Sequence, residues 1–308
     1  MRSPYGYRFP VTAPLPDPAA DATEAVRLDA EIGEIDWTRP APGSTRSVFE
    51  APSGPLAVVS LGDPRDPRVV LVPGATGSKE DFVLMLPLLA AAGFHVQSYD
   101  LAGNYESAAA GPADGGRYDY PLFTADLLAF LRAGAPAHLL GYSFAGIVAQ
   151  LVAAEHPELV RSLTLLTTPP DPGNAYRHVK RIGWLSRFLS GRQGAGLMIW
   201  GIRTNKNRVG PSRLAFVRAR FASTRRACID DIVHLMKNAP DAAAAVRAAG
   251  IPVLVATSEH DLWPVRRYAL HAERLDARLA VYRTGHSPCE TTPHQLVHDM
   301  LRLFRDVG

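Results

Sequence analysis

Three residues of this chain have the types and the surroundings that nucleophilic attack on a carbonyl carbon requires. Ser143 lies in the stretch HLLGYSFAGIVAQL, between an apolar run and a predicted helix. Asp261 follows the apolar run VLVATS, and His286 follows the run RLAVY. A serine hydroxyl becomes a nucleophile when a histidine removes its proton and a carboxylate orients that histidine. Ser143 is therefore a candidate nucleophile, and Asp261 and His286 supply a carboxylate and a histidine at the ends of other predicted strands.

The residues around Ser143 are small, as a sharp turn from a strand into a helix requires. Gly141 lies two residues before the serine, and Ala145 takes the small position after it, with Gly146 behind. A strand and a helix crowd together at such a turn, so only small side chains fit there. The helix N-terminus would also place its dipole and free N–H groups beside a developing anion. The structural alternative is an ordinary helix N-cap serine.

Short apolar runs alternate with stretches of helical periodicity over most of the chain. Runs such as VVLV and LTLL have the character of strands that are buried on both faces of a parallel sheet. The alternation predicts an α/β fold, with a mostly parallel open sheet and helices on both sides. Prolines and a glycine in TTPPDPGNAY interrupt the alternation after the sixth strand, and it resumes at IPVLVATSEHD.

This interruption, together with a proline-rich beginning, predicts three parts. Residues 1–45 are expected to form an N-terminal arm with one short helix. Residues 46–169 and 241–308 are expected to form the α/β core, and residues 170–240 a helical cap inserted after the sixth strand. The cap segment holds 14 Lys and Arg but three Asp and Glu, whereas the rest of the chain has more acidic than basic residues. A basic cap on an acidic body is therefore expected.

Four motifs resemble those of the α/β-hydrolase fold family. The pentapeptide around Ser143 is similar to the G-x-S-x-G nucleophile elbow, with Ala145 in place of the last glycine. Asp261 and His286 follow in the family's order of nucleophile, acid and histidine. The loop PGATG, residues 73–77, resembles the family's His-Gly oxyanion loop with proline in place of the histidine. YDLAGNYES resembles the family's D-x-x-G-x-G-x-S stretch with altered glycine spacing.

The resemblance implies a cofactor-free serine hydrolase. Ser143 would attack, His286 would act as the base, and Asp261 would orient the histidine. By the same likeness, the backbone N–H groups of Ala75 and Phe144 would form the oxyanion hole. A carboxylesterase or lipase-like enzyme is the first interpretation. An acyltransferase, a thioesterase or a carbon–carbon bond hydrolase shares the triad and stays open, as does a hydrolase-fold protein that binds without turnover.

Several residues near the motifs have alternative interpretations. Asp171, just after the sixth strand, is the triad acid that a minority of such folds use. Glu290 is expected to begin the last helix, where the helix dipole favours an acidic residue. Serine at the nucleophile position argues against dehalogenase or epoxide-hydrolase chemistry, for which relatives of this fold use an aspartate. No metal or organic cofactor is expected, because the triad needs none. The two cysteines, Cys228 and Cys289, are expected to be free thiols.

The cap segment contains apolar side chains that could line an acyl pocket. The pocket candidates are Tyr142, next to the serine, and the cap residues Trp184, Phe188, Met198 and Trp200. The alternative is that the cap residues pack the cap onto the body. The basic residues form a solvated face, or they attract an anionic substrate, an acidic partner or a membrane surface. We hypothesise an amphipathic acyl ester or thioester that bears negative charge.

The expected partner is a small acyl molecule. Nucleic acid is not expected, because the basic residues come with no recognisable binding module and the body is acidic. No apolar run reaches the roughly 20 residues that a transmembrane helix needs. The N-terminal stretch MRSPYGYRFPVTAPLPDP lacks an apolar run of signal-peptide length, so a cytoplasmic location is expected. The sequence does not determine the oligomeric state, and a homodimer stays open.

Overall fold

An eight-stranded sheet forms the centre of the residues that the computed structural model describes, which are 18–113, 115–180 and 210–307. Its strands are β1 (Thr45–Ala51), β2 (Gly54–Leu61), β3 (Arg68–Val72), β4 (His95–Tyr99), β5 (Ala137–Tyr142), β6 (Val160–Leu166), β7 (Val253–Ser258) and β8 (Arg278–Tyr282). Their order across the sheet is β1-β2-β4-β3-β5-β6-β7-β8. The β1–β2 and β2–β4 pairs are antiparallel, and the pairs from β4 to β8 are parallel. The predicted mostly parallel sheet is therefore confirmed.

Helices pack against both faces of the sheet. The helices of the described residues are α1 (Pro18–Ala30), α2 (Met85–Ala91), α3 (Tyr120–Arg132), α4 (Phe144–Glu155), α5 (Pro211–Ser223), α6 (Arg226–Met236), α7 (Ala243–Ala248), α8 (Val265–Leu275), α9 (Pro288–Thr291) and α10 (Pro293–Arg305). Side chains of α3, α4, α7 and α8 share one core with Val70 and Val72 of β3. Those of α2 and α10 share a second core with Val69 and Leu71. Because alternate residues of a strand point to opposite faces, the two cores lie on opposite sides of the sheet.

The carboxyl ends of the parallel strands place the candidate residues at one edge. Strands β3, β5, β6, β7 and β8 are neighbours in that order and run in the same direction. The segments that follow them therefore meet at the same edge, where α/β sheets of this kind bind their ligands. Ser143, Asp261 and His286 all lie in such segments.

The segment between β6 and β7 contains both helices and loops where it is described. It contains a 3-10 turn at Ala175–His178 and the helices α5 and α6. Four of the five pocket candidates, Trp184, Phe188, Met198 and Trp200, lie outside the described residues. The limits of a separate cap at 170–240 stay a prediction.

The N-terminal segment contacts the body at the last helix. The predicted short helix is α1, and Asp29 near its end accepts hydrogen bonds from His294 N at 2.8 Å and Gln295 N at 3.1 Å. These are the first N–H groups of α10, which have no partner within their own helix. Asp29 thus acts as a cap from a distant part of the chain.

Two further expectations concern membranes and thiols. In the described ranges no helix is both long and apolar enough to cross a membrane.

Cys228 and Cys289 are buried free thiols, and Cys228 Sγ donates to Ala102 O at 3.2 Å.

Candidate active site

The structure brings the side chains of Ser143, His286 and Asp261 together at the carboxyl edge of the sheet. Ser143 directly follows β5, Asp261 lies in the loop after β7, and His286 in the loop after β8. His286 Nε2 is 3.2 Å from Ser143 Oγ, and His286 Nδ1 is 2.5 Å from Asp261 Oδ1. Both separations are within the hydrogen-bond reach that a nucleophile and its base need.

The backbone of Ser143 has a conformation that non-glycine residues rarely adopt. Its φ is 53° and its ψ is −118°. Such a conformation costs on the order of 1–3 kcal/mol and persists only when the surroundings impose it. Here Ser143 N donates to Leu166 O at 2.8 Å, and Gly146 N donates to Ser143 O at 3.0 Å. The hydroxyl makes no capping bond to α4. It contacts His286 instead, which argues against a simple N-cap role.

Two glycines at the turn have no space for a side chain. A Cβ on Gly141 would lie 2.6 Å from Gly146 Cα and 2.7 Å from Ala145 O. A Cβ on Gly146 would lie 1.8 Å from Thr168 Oγ1. Gly141 and Gly146 are therefore the residues that the crossing of β5 and α4 requires. Ala145, which was predicted to be the small residue after the serine, is buried.

Asp261 is buried and accepts several hydrogen bonds. Besides the bond from His286, Leu262 N donates to Oδ1 at 2.6 Å. The Tyr268 hydroxyl donates to Oδ2, and Thr257 Oγ1 lies 3.5 Å from the same oxygen. Burial, followed by the nearby Asp261 carboxylate, raises the pKa of Tyr268 well above its ordinary value, so the phenol remains a donor. Sequence reasoning missed Tyr268, which lies seven residues after Asp261 on α8.

The His286 loop is supported from β5 and β6. Thr167 Oγ1 donates to the His286 carbonyl at 3.0 Å, and Thr167 itself has a positive φ of 41°. The Tyr142 hydroxyl lies 2.8 Å from Ser287 Oγ, and its ring centroid is 5.6 Å from that of His286. Tyr142 is buried, and burial raises its pKa above the ordinary value. In this position Tyr142 supports the histidine loop, while its role in a substrate pocket stays a prediction.

The two proposed oxyanion donors lie in the segments that follow β3 and β5. Phe144 is the first residue of α4, and Ala75 lies in the loop after β3. A Cβ on Gly74 would be 3.3 Å from Ser143 Cβ, so this loop passes close to the serine. Among bonds between described residues, none uses the N–H of Ala75 or Phe144. The Ala75 carbonyl accepts from Asn104 Nδ2 at 3.1 Å, a support that sequence reasoning missed.

Asp171, the alternative acid, binds other partners. Its Oδ2 lies 2.9 Å from His178 Nδ1 and accepts from Arg267 Nε at 3.0 Å. Burial opposes ionisation, but the hydrogen bonds from Arg267 and His178 hold the pKa of Asp171 below its ordinary value. The structure therefore brings Asp261, and not Asp171, to His286.

The stretch that follows the oxyanion loop is unusually rich in buried charge. Lys79 is 1% exposed and pairs with Asp100 at 3.1 Å and Glu106 at 2.5 Å. Lys79 N also donates to Asp100 Oδ1 at 2.7 Å. The aspartate of the YDLAGNYES motif thus holds Lys79, two residues after the oxyanion loop. No group of three or more His, Cys, Asp or Glu residues that could bind a metal ion occurs within the described part of the chain.

Residues 67–221 match the sequence model of the alpha/beta hydrolase fold family. The chain belongs to this family. Its matched region contains the Ser143 turn and the oxyanion loop. Together with the eight-stranded sheet, this match shows the α/β hydrolase fold.

Similar proteins include several kinds of hydrolase. Bifunctional epoxide hydrolase 2 of Rattus norvegicus is 32% identical over 121 residues, which cover 39% of this chain and 21% of that protein. Pimeloyl-(acyl-carrier protein) methyl ester esterase of Chromobacterium violaceum is 42% identical over 62 residues, which cover 19% of this chain and 24% of that protein. The chain thus spans less than a quarter of the length of these curated relatives. A carboxylesterase structure from Nitrososphaera gargenis is similar with a TM-score of 0.65 and 19% identity, over 85% of this chain and 98% of that one.

Proposed function

We propose that this chain is a serine hydrolase that cleaves esters through an acyl-enzyme intermediate. The observation that carries the proposal is the row of hydrogen bonds from Ser143 through His286 to Asp261. Since the similar proteins include both an esterase and an epoxide hydrolase, the choice of reaction rests on the side chains of this chain.

In the acylation step, His286 Nε2 takes the proton of Ser143 as the hydroxyl oxygen attacks the ester carbonyl. Asp261 accepts the hydrogen bond of Nδ1–H and stabilises the imidazolium that forms. The carbonyl oxygen becomes negative, and the N–H groups of Ala75 and Phe144 would bind it, each contributing about 3 kcal/mol. The intermediate then collapses, and His286 gives its proton to the departing alcohol.

In the deacylation step, water replaces the alcohol. His286 Nε2 removes a proton from the water, which attacks the acyl carbon. The same two N–H groups would bind the second oxyanion. Collapse releases the acid and returns the proton to Ser143 Oγ. Every step uses groups of the chain, the ester and water.

Serine in place of aspartate distinguishes ester hydrolysis from epoxide opening. An aspartate that opens an epoxide forms an ester, which water can cleave. A serine that opened an epoxide would form an ether, which water does not cleave near neutral pH. Ser143 therefore favours an acyl substrate, despite the epoxide hydrolase named among the relatives.

The substrate's charge is a further part of the proposal. The segment between β6 and β7 is strongly basic, which would attract an ester with a negatively charged acyl or alcohol part. Two of its arginines, Arg213 and Arg220, are buried in ion pairs with Asp81, which reduces that attraction. We propose a preference for amphipathic or anionic esters that weakens as salt is added.

A panel of p-nitrophenyl esters with neutral and carboxylate-bearing acyl groups tests this proposal, with styrene oxide as the competing substrate. The wild-type protein should cleave esters, and Ser143→Ala should abolish turnover without lowering the unfolding temperature. Ester turnover that survives in Ser143→Ala, or turnover of the epoxide alone, would refute the mechanism. Equal turnover of neutral and anionic esters at all salt concentrations would refute the charge preference.

A further inference from the structure

Four consecutive polar residues after the oxyanion loop are buried. They are Ser78, Lys79, Glu80 and Asp81, with exposures of 0%, 1%, 6% and 2%. Charged side chains are costly to bury unless each finds a partner of opposite charge and further hydrogen bonds. The partners of Asp81 come from a distant part of the chain, helix α5 between β6 and β7.

Two arginines of α5 converge on one oxygen of Asp81. Arg213 Nη2 is 2.7 Å and Arg220 Nη1 is 2.6 Å from Asp81 Oδ1. Arg220 Nη1 also donates to Ser78 Oγ at 3.2 Å. Burial alone would raise the pKa of Asp81, but Arg220 and then Arg213 hold it below the ordinary value. Asp81 is thus an ionised carboxylate clamped between two guanidinium groups.

Arg213 has a second carboxylate partner in the histidine loop. Its Nη2 also donates to Glu290, four residues after His286. Glu290 lies in the one-turn helix α9 and is not, as the sequence suggested, at the start of the last helix. Trp37 of the N-terminal segment covers Arg213, whose Cζ lies 4.3 Å from the ring centroid. We call Ser78, Asp81, Arg213, Arg220 and Glu290 the anchor cluster.

The anchor cluster is joined to the oxyanion loop by short steps. Asp81 Oδ2 accepts from Ser78 N at 3.2 Å, and a Cβ on Gly77 would lie 2.4 Å from the same oxygen. At its other end the loop has Gly74 against Ser143. The backbone that carries Ala75 is therefore packed between Asp81 and the serine. A displacement of Asp81 would act on this backbone through Ser78 and Gly77.

We propose that Arg213 and Arg220 are positioning residues, which fix the oxyanion loop and the His286 loop relative to Ser143. The inference rests on the proposed function, because it concerns the placement of the Ala75 N–H and of His286. It assigns helix α5 a role in turnover, in addition to any role in shaping substrate access. Since a misplacement of about 1 Å can cost about 100-fold in rate, small movements of these loops should be measurable in kcat.

Kinetics on p-nitrophenyl acetate test the inference, because this small ester makes few contacts beyond the reacting centre. The variants are Arg220→Gln, Arg220→Lys and Ser78→Ala, with Arg218→Gln as the control. Arg218 lies on the same helix but is exposed and outside the anchor cluster. Titration with a fluorophosphonate counts the reactive serines, so that kcat is expressed per intact site.

For Arg220→Gln we expect kcat per site to fall about tenfold or more while KM changes by about twofold or less, a loss of correct placement rather than of substrate binding. Arg220→Lys, which keeps the buried cation, should recover part of the loss, and Arg218→Gln should match the wild type. Ser78→Ala leaves no charge unpaired and should lower kcat by a smaller factor in the same direction. If Arg220→Gln does not fold, the kcat of Ser78→Ala decides the test.

Other outcomes separate this inference from the proposed function. A wild-type kcat per site in folded Arg220→Gln, or in Ser78→Ala where the first variant does not fold, would overturn the positioning role. A lower number of titrated sites with unchanged kcat per site would show a role in stability alone and would also overturn it. A wild-type protein with no titratable serine would overturn the proposed function itself.

Discussion

The contact between Gly146 and Thr168 predicts that the smallest enlargement of the serine turn reduces both stability and turnover. In Gly146→Ala the new Cβ would lie 1.8 Å from Thr168 Oγ1 and 2.7 Å from Thr168 Cβ and Cγ2. Real Cβ atoms do not approach other atoms so closely, so α4 or Thr168 has to move. Because α4 begins at Phe144, such a movement displaces the serine and the N–H group beside it.

The expected loss of stability in Gly146→Ala is the difference between two opposing effects. Overpacking a core lowers the free energy of unfolding by up to about 3 kcal/mol. We use this upper value because three atoms of Thr168 lie too close to the new Cβ. Alanine is favoured over glycine inside a helix by about 1 kcal/mol. The net loss of about 2 kcal/mol corresponds to a fall of about 3 °C in Tm for a chain of this length. A shift of about 1 Å at the turn would lower kcat by up to about 100-fold.

Thermal unfolding and ester kinetics measure both effects. Adding Thr168→Ala removes Oγ1 and Cγ2 and should recover part of the lost Tm and kcat, while the remaining Thr168 Cβ prevents full recovery. The matched control is Gly33→Ala, since Gly33 has open space and a φ that alanine tolerates. We expect this control to stay within about 0.5 kcal/mol of the wild type. A wild-type Tm and kcat in Gly146→Ala would refute the crowding at this turn.

Two further predictions concern the acid and a buried histidine. Asp261→Asn should lower kcat by about 10⁴-fold, because the asparagine no longer fixes the His286 tautomer, whereas Asp171→Asn should leave kcat within a few-fold of the wild type in the same ester assay. His271 is buried, and burial lowers its pKa to about 4, so the unfolded chain takes up a proton that the folded chain does not as pH falls from about 6.5. The free energy of unfolding should therefore decrease as the pH falls from about 6.5 to about 4. In denaturant titrations, His271→Leu should reduce the slope of this free energy against pH by up to about 1.4 kcal/mol per pH unit. An unchanged slope would contradict the assignment to His271.

The sheet and its order of elements could be predicted because their signals are local. Each parallel strand is a short apolar run, and β3 is buried along its whole length. Ser143, Asp261 and His286 each follow such a run, and their order along the chain resembles that of the α/β-hydrolase family, so we expected them at one edge of the sheet. The structure adds the distances between them, which no spacing in the sequence provides.

The supports of the site could not be predicted, because they join distant parts of the chain. Arg213 and Asp81 are 132 positions apart, and Tyr105 N donates to Thr224 Oγ1 over 119 positions. Only a weak signal was available, namely two arginines seven residues apart on one helix face and charged residues next to a glycine loop. The lack of space for a side chain at Gly146 likewise depends on Thr168, which the local pattern does not reveal.

The most direct test of the central claim is the intact mass of the protein after incubation with a fluorophosphonate. A serine that is activated by His286 and Asp261 should form one covalent adduct in the wild type, and Ser143→Ala should form none. An unmodified wild-type protein, or the same adduct in both proteins, would contradict the assignment of Ser143 as the nucleophile.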